Sequence, residues 1–122
     1  DLPVLEAAYD DELGVTAAFN LNLLNHLNRL LGSDFRVPEW RHVAFFDTQA
    51  SRIEMHLEAR TDLVVRWPGA QRAFVSGERL HTENSYKWTP SAFEALLQQA
   101  GFSEVQTWTD PHGWFAVCLA RA

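Results

Sequence analysis

The chain has 122 residues, 47% of them hydrophobic, with eight Phe and five Trp, which is enough apolar surface for one core and unlike a disordered segment. A formal charge of −6, with ten scattered Lys and Arg, argues against nucleic acid and anionic membrane surfaces as partners, and no apolar run approaches the roughly 20 residues that span a bilayer. The single cysteine, Cys118, excludes an internal disulfide and points to a reducing, cytoplasmic compartment.

The chain opens at Asp1-Leu2-Pro3 without an initiator Met or a signal sequence and reads as cut from something longer. Residues 3–9 form a short apolar turn or helix ending at Tyr9, followed by the acidic Asp10-Asp11-Glu12 and Gly14. A long amphipathic helix comes next. Thr16 is its expected N-cap, Phe19, Leu23, Leu24, Leu27, Leu30 and Leu31 recur at helical spacing, and Gly32 is its stop. The Asn residues at 20, 22, 25 and 28 are expected on the solvated side.

From Trp40 to Ser85 the period becomes two. Ile53, Met55 and Leu57 alternate with Arg52, Glu54 and His56, as in a half-buried strand. Leu63 to Trp67 reads as a second strand and Pro68-Gly69 as a turn. Arg72 to Val75 and Glu78 to Ser85 flank Ser76-Gly77 as a hairpin would, so an antiparallel meander is expected. Thr89-Pro90 opens another helix, with Phe93, Leu96, Leu97 and Ala100 on its apolar face and Gly101 at its end. Strands from Val105 to Thr109 and Trp114 to Leu119 close the chain. The fold class is α+β.

Ordered blocks of this sequence resemble one family. Ala8-Tyr9-Asp10-Asp11, Gly14 to Asn20, Asn25 to Arg29, Arg52 to Leu57, Gly77-Glu78 and His81 to Lys87 are similar to the substrate domain of histidine-specific Nα-methyltransferases of ergothioneine biosynthesis. The Thr-Pro helix start, Gln99-Ala100-Gly101-Phe102 and the final hairpin resemble the closing segment of class I methyltransferases that use S-adenosyl-L-methionine (SAM). The resemblance implies a histidine-binding subdomain over residues 1–86 and the end of the methyltransferase core over 87–122. It also implies that the SAM site lies upstream, since no G-x-G-like turn occurs here. As given, the chain is then expected to be inactive alone.

The chemistry asks for orientation. Methyl transfer to an α-amine needs the neutral nitrogen held roughly 3 Å from the methyl carbon, with no metal or covalent intermediate. Glu83 and Ser85, two apart on a predicted strand, share a face; a carboxylate and a hydroxyl there would read the two nitrogens of an imidazole, the contact the resemblance assigns them. Read by themselves, they are equally ordinary solvent-facing residues. The resemblance gives Tyr9 the substrate carboxylate and Met55 the imidazole pocket, with Thr16 a lesser candidate; edge packing, core packing and helix capping account for the same three residues. The five histidines show no metal-ligand spacing, so no metal is expected.

L-histidine is thus the expected small-molecule partner. Two other readings stay open: an N-methyltransferase of another aromatic amino acid or amine, and a non-catalytic α+β dimerisation or binding module. Cut from its neighbours, 89–122 would expose strand edges through which the piece self-associates.

Overall fold

A computed structural model describes residues 1–122, which divide into two compact units, Asp1–Tyr86 and Lys87–Ala122. Both mix helices with antiparallel strands, and no helix is long and apolar enough to cross a membrane.

In the first unit, helices α1 (Leu2–Ala7) and α2 (Val15–Leu31) precede a 3₁₀ turn at Val37–Glu39 and strands β1 (Trp40–Asp47), β2 (Arg52–Ala59), β3 (Leu63–Trp67), β4 (Ala70–Phe74) and β5 (Arg79–Tyr86). The central sheet has the order β1-β2-β5, and β3 pairs only with β4. The expected meander is therefore interrupted. The hairpin turn is at Pro68-Gly69, whereas Ser76-Gly77 returns the chain to β2 instead of joining β4 to β5. Backbone bonds explain the switch: Gly77 N–H donates to the Ala59 carbonyl and Ala59 N–H to that of Glu78, with Gly77 at φ 85° where a side chain would be strained. β3 and β4 are an excursion whose two ends are tied together. Leu24, Trp40, Leu57, Ala59, Val65 and Phe74 form the core between α2, the sheet and this excursion.

The start of α2 departs from expectation. Gly14 is the N-cap, at φ 69°, and Thr16 lies inside the first turn. The capping acceptor is Asp11, whose two carboxylate oxygens take the amides of Val15 at 3.0 Å and Thr16 at 2.9 Å. A carboxylate spans two orphan amides at once, which a threonine hydroxyl does not. Donation from the Thr16 amide, then the Val15 amide and the Thr16 hydroxyl, holds the Asp11 carboxyl at about 2 against its ordinary 3.8.

A depressed carboxylate stabilises the fold fully above its unfolded value and loses that contribution as pH falls through the folded one. The stability advantage of the wild type over Asp11→Asn is accordingly expected to shrink between about pH 5 and pH 2. Thermal midpoints across that range check this; an advantage independent of pH would mean that shape, not charge, makes the cap.

The buried face of α2 is also not the predicted stripe. Phe19, Leu30 and Leu31 are exposed, while Asn20 is buried beside Leu24. Asn28 too turns inward: it accepts from Phe35 N–H at 2.8 Å and donates to the Phe35 carbonyl at 2.7 Å. Two of the four asparagines thus satisfy backbone and ring groups that no leucine could.

The second unit holds α3 (Pro90–Gln99) and the hairpin β6 (Ser103–Thr109) and β7 (Ala116–Arg121). Thr89 caps α3, accepting from Ala92 N–H at 3.3 Å, with Pro90 at the first helical position as the sequence indicates. Trp114 and Phe115 stay out of β7 because the Asp110 carboxylate takes their amides, at 2.6 and 3.0 Å, closing a loop in their place. Trp108, Trp114, Phe115, Val117 and Leu119 are exposed.

Candidate functional site

The register of the central sheet assembles the candidate residues. Met55 is paired with Glu83 and Ile53 with Ser85, so these four side chains share a face, with Ala44 and Phe46 of β1 beside them. A bulge makes this possible. Leu57 pairs with Leu80 and His56 with His81, but Met55 pairs with Glu83, leaving Thr82 as an extra residue. The Thr82 hydroxyl donates to the Met55 carbonyl at 2.9 Å and holds the irregularity in place. Without that residue, strict alternation from Leu80 would bring Thr82 and Asn84 to the helix-covered face and turn Glu83 and Ser85 away.

Tyr9 reaches the same face from the turn between α1 and α2. Its hydroxyl lies 2.7 Å from Ser85 Oγ. Glu83 is exposed at its residue position but lines a cavity of about 190 Å³ with Phe19, Asn20, Leu23 and His26 of α2. Met55 is 3% exposed. Tyr9, Met55, Glu83 and Ser85 are therefore brought to one side of β2 and β5. Thr16 sits at the start of α2, bonded to Asp11.

Two residues that periodicity did not single out support this group. Asn20, 3% exposed, places its carboxamide nitrogen 2.9 Å from His42 Nδ1 and 3.1 Å from the His56 carbonyl. His42 Nε2 is 2.8 Å from the Tyr9 carbonyl. A polar residue at a core-facing helix position is the one local sign that would have pointed to Asn20.

The opposite face of the sheet carries charge. Glu58, 7% exposed, accepts from Arg41 Nε and Arg79 Nε, both at 2.8 Å, and these guanidinium bonds, Arg79 first, hold its carboxyl below the usual range. His56 stacks between Phe45 and His81, at ring-centroid distances of 5.2 and 4.6 Å. Burial, then the neighbouring His81, pushes the His56 imidazole below its ordinary pKa. Ligand atoms of Glu54, His56 and His81 lie within 4.8 Å of one another, a cross-strand grouping invisible to linear spacing. The two rings are stacked at 23°, however, so their in-plane lone pairs run side by side. A cation about 2.1 Å from each nitrogen would require one ring to turn. Arg52 also occupies Glu54 Oε1, at 2.9 Å from Nε. The arrangement is a ring stack flanked by ion pairs.

Two hydroxyls in contact, a carboxylate and a thioether thus lie on one face of the sheet. A family model described as histidine-specific, SAM-dependent methyltransferase matches residues 1–122, and the chain belongs to that family. It is 44% identical over 118 residues to the histidine N-alpha-methyltransferase of Mycolicibacterium smegmatis, covering 95% of this chain and 37% of that protein. The histidine N-alpha-methyltransferase of Mycobacterium tuberculosis is 42% identical over 122 residues, 98% of this chain and 38% of its own length. Ergothioneine biosynthesis protein 1 of Neurospora crassa is 29% identical over 118 residues, 94% of this chain and 13% of its own length. The chain thus spans 37–38% of the length of these two N-alpha-methyltransferases.

Proposed function

We propose that residues 1–86 supply the substrate pocket of an L-histidine Nα-methyltransferase, and that residues 87–122 are the closing segment of its class I catalytic core. The observation that carries this reading is the 2.7 Å contact between the Tyr9 and Ser85 hydroxyls, two residues 76 apart in sequence, on the face that also bears Glu83 and Met55.

SAM is the methyl donor that the family description implies. The residues present do not fit it: none of the six glycines lies in a strand-to-helix turn of the kind that cradles a nucleotide-like cofactor, so its site belongs to other parts of the protein. This chain's own contribution is orientation. Glu83 accepts one N–H of the substrate imidazole in its protonated form, Ser85 accepts the other and donates its own hydroxyl hydrogen to Tyr9, Met55 packs against the ring, and Tyr9 donates to the substrate carboxylate. Holding both ends of the amino acid leaves its α-amine as the group free to react. Thr16 is a peripheral member of this pocket, and no metal takes part. The exposed aromatic hairpin of 87–122 is the surface through which an isolated piece would self-associate.

The test is methyl transfer by the full-length protein. Incubation with SAM and L-histidine is expected to yield Nα-methylated histidine, identified by mass and NMR, with tryptophan a poor substrate. Equal kcat/KM values for histidine and tryptophan would favour the broader aromatic N-methyltransferase, and failure to methylate any amine would favour the binding module.

A further inference from the structure

Tyr9 is held at both ends, and the far end shows how. Its hydroxyl meets Ser85 on β5; its backbone carbonyl meets His42 on β1. Between α1 and α2 the chain runs through turns whose backbone bonds, such as Tyr9 N–H on the Glu6 carbonyl, are local, so the Tyr9 carbonyl contact is what ties this residue's backbone to the sheet. The bonding also decides which form of His42 makes it. Asn20 uses one nitrogen, Nδ2, for both the His56 carbonyl and His42 Nδ1. The carbonyl only accepts, so Asn20 donates to it, and turning the carboxamide over would oppose two oxygens. The second hydrogen of Nδ2 then goes to His42 Nδ1, which must carry a lone pair. The ring proton is therefore on Nε2 and is donated to Tyr9.

We infer that His42 is a positioning residue for substrate binding: the Asn20-locked Nε2–H tautomer fixes the Tyr9 backbone so that its hydroxyl stands against Ser85 and the substrate carboxylate. The inference rests on the proposed histidine pocket. It assigns His42 no contact with substrate and no proton transfer. A relay of three hydrogen bonds runs from the central strand to the Tyr9 turn, with every donor matched to an acceptor and its buried member, Asn20, 3% exposed. Breaking the last bond leaves α1 tied to β1 by Phe46 N–H on Glu6 Oε1, at 3.1 Å, and Tyr9 N–H on the Glu6 carbonyl, at 2.9 Å, so the unit keeps its fold while the Tyr9 carbonyl loses its tie to the sheet.

Two substitutions in the full-length protein separate positioning from packing. His42→Gln places an amide nitrogen near the former Nε2 and keeps the donor to Tyr9; His42→Asn keeps an acceptor for Asn20 and loses that donor. The asparagine variant is expected to raise the KM for histidine about tenfold with kcat within about twofold, the loss of one positioning hydrogen bond. The glutamine variant is expected to stay near wild type, and in a Tyr9→Phe background the asparagine substitution should add little. Nitrogen-15 NMR of selectively labelled histidine is expected to show His42 protonated on Nε2.

Equal behaviour of the two variants, additive losses with Tyr9→Phe, or an Nδ1-protonated ring would each overturn the inference. A wild type that binds and methylates another amine but not histidine overturns the pocket assignment and this inference with it. A wild type active on histidine with indistinguishable variants overturns only the inference.

Discussion

Replacing Glu83 with alanine is expected to lower kcat/KM for histidine by about 10- to 100-fold, the loss of a hydrogen bond between an imidazole N–H and a charged acceptor. The proposed pocket has one anionic acceptor at this point, and nothing on the shared face of Ile53, Met55, Glu83 and Ser85 can replace it. A substrate without a ring nitrogen to match would lose much less, so the preference for histidine over tryptophan should fall with the rate. Glu83→Gln keeps an acceptor oxygen without its charge and should fall between the two. Glu83 is an exposed position on an intact strand, so the thermal midpoint should barely change, within about 0.5 kcal/mol of stability. Kinetics with both amino acids, run beside thermal unfolding, check all three expectations. If the alanine variant retains wild-type selectivity, the carboxylate does not read the imidazole.

Trp40→Ala is expected to have the largest effect on stability, about 3–5 kcal/mol, by deleting the largest fully buried side chain and leaving a cavity. The ring is 1% exposed, edge-on to Phe74 at 5.1 Å and tilted to Phe35 at 5.8 Å, so it joins β1 to the β3–β4 excursion and the segment after α2. Its indole nitrogen is buried without a partner, a cost already present in the native state. Trp40→Phe removes that donor together with part of the ring, so the two effects oppose and the loss should be smaller by about 2 kcal/mol. Urea unfolding of the two variants tests this. A phenylalanine variant as damaged as the alanine one would mean that the indole nitrogen finds a partner in solution.

The elements were legible where local chemistry dominates. The Thr89-Pro90 helix start, the Leu63–Trp67 strand and the Pro68-Gly69 turn each follow from residues within a few positions of one another. The cap of α2 is not local: Thr16 is a good capping residue, but Asp11, three residues before the Gly14 cap, reaches two amides through the bend of the chain. Amphipathicity counts apolar residues and so places Asn20 and Asn28 in water; it does not see the His42 ring or the Phe35 backbone that their amides satisfy.

The sequence by itself determined the family, through ordered blocks, together with the strand at Arg52 to Leu57 and the presence of an acid and an alcohol two residues apart. That strand is buried on both faces and not half-buried as expected, because His56 stacks between Phe45 and His81 and Glu58 is covered by Arg41 and Arg79. Which way the acid and the alcohol point was a tertiary decision. In β5, Leu80 and Thr82 alternate in phase, and that phase carried forward would have sent Glu83 and Ser85 to the outer face. The extra residue at Thr82 reverses the parity against β2, so Glu83 and Ser85 join Met55 and Ile53 on one face of the sheet. A bulge is fixed by the partner strand's hydrogen bonds, here a threonine hydroxyl on the Met55 carbonyl, and no local periodicity encodes the position of a strand that lies 27 residues away.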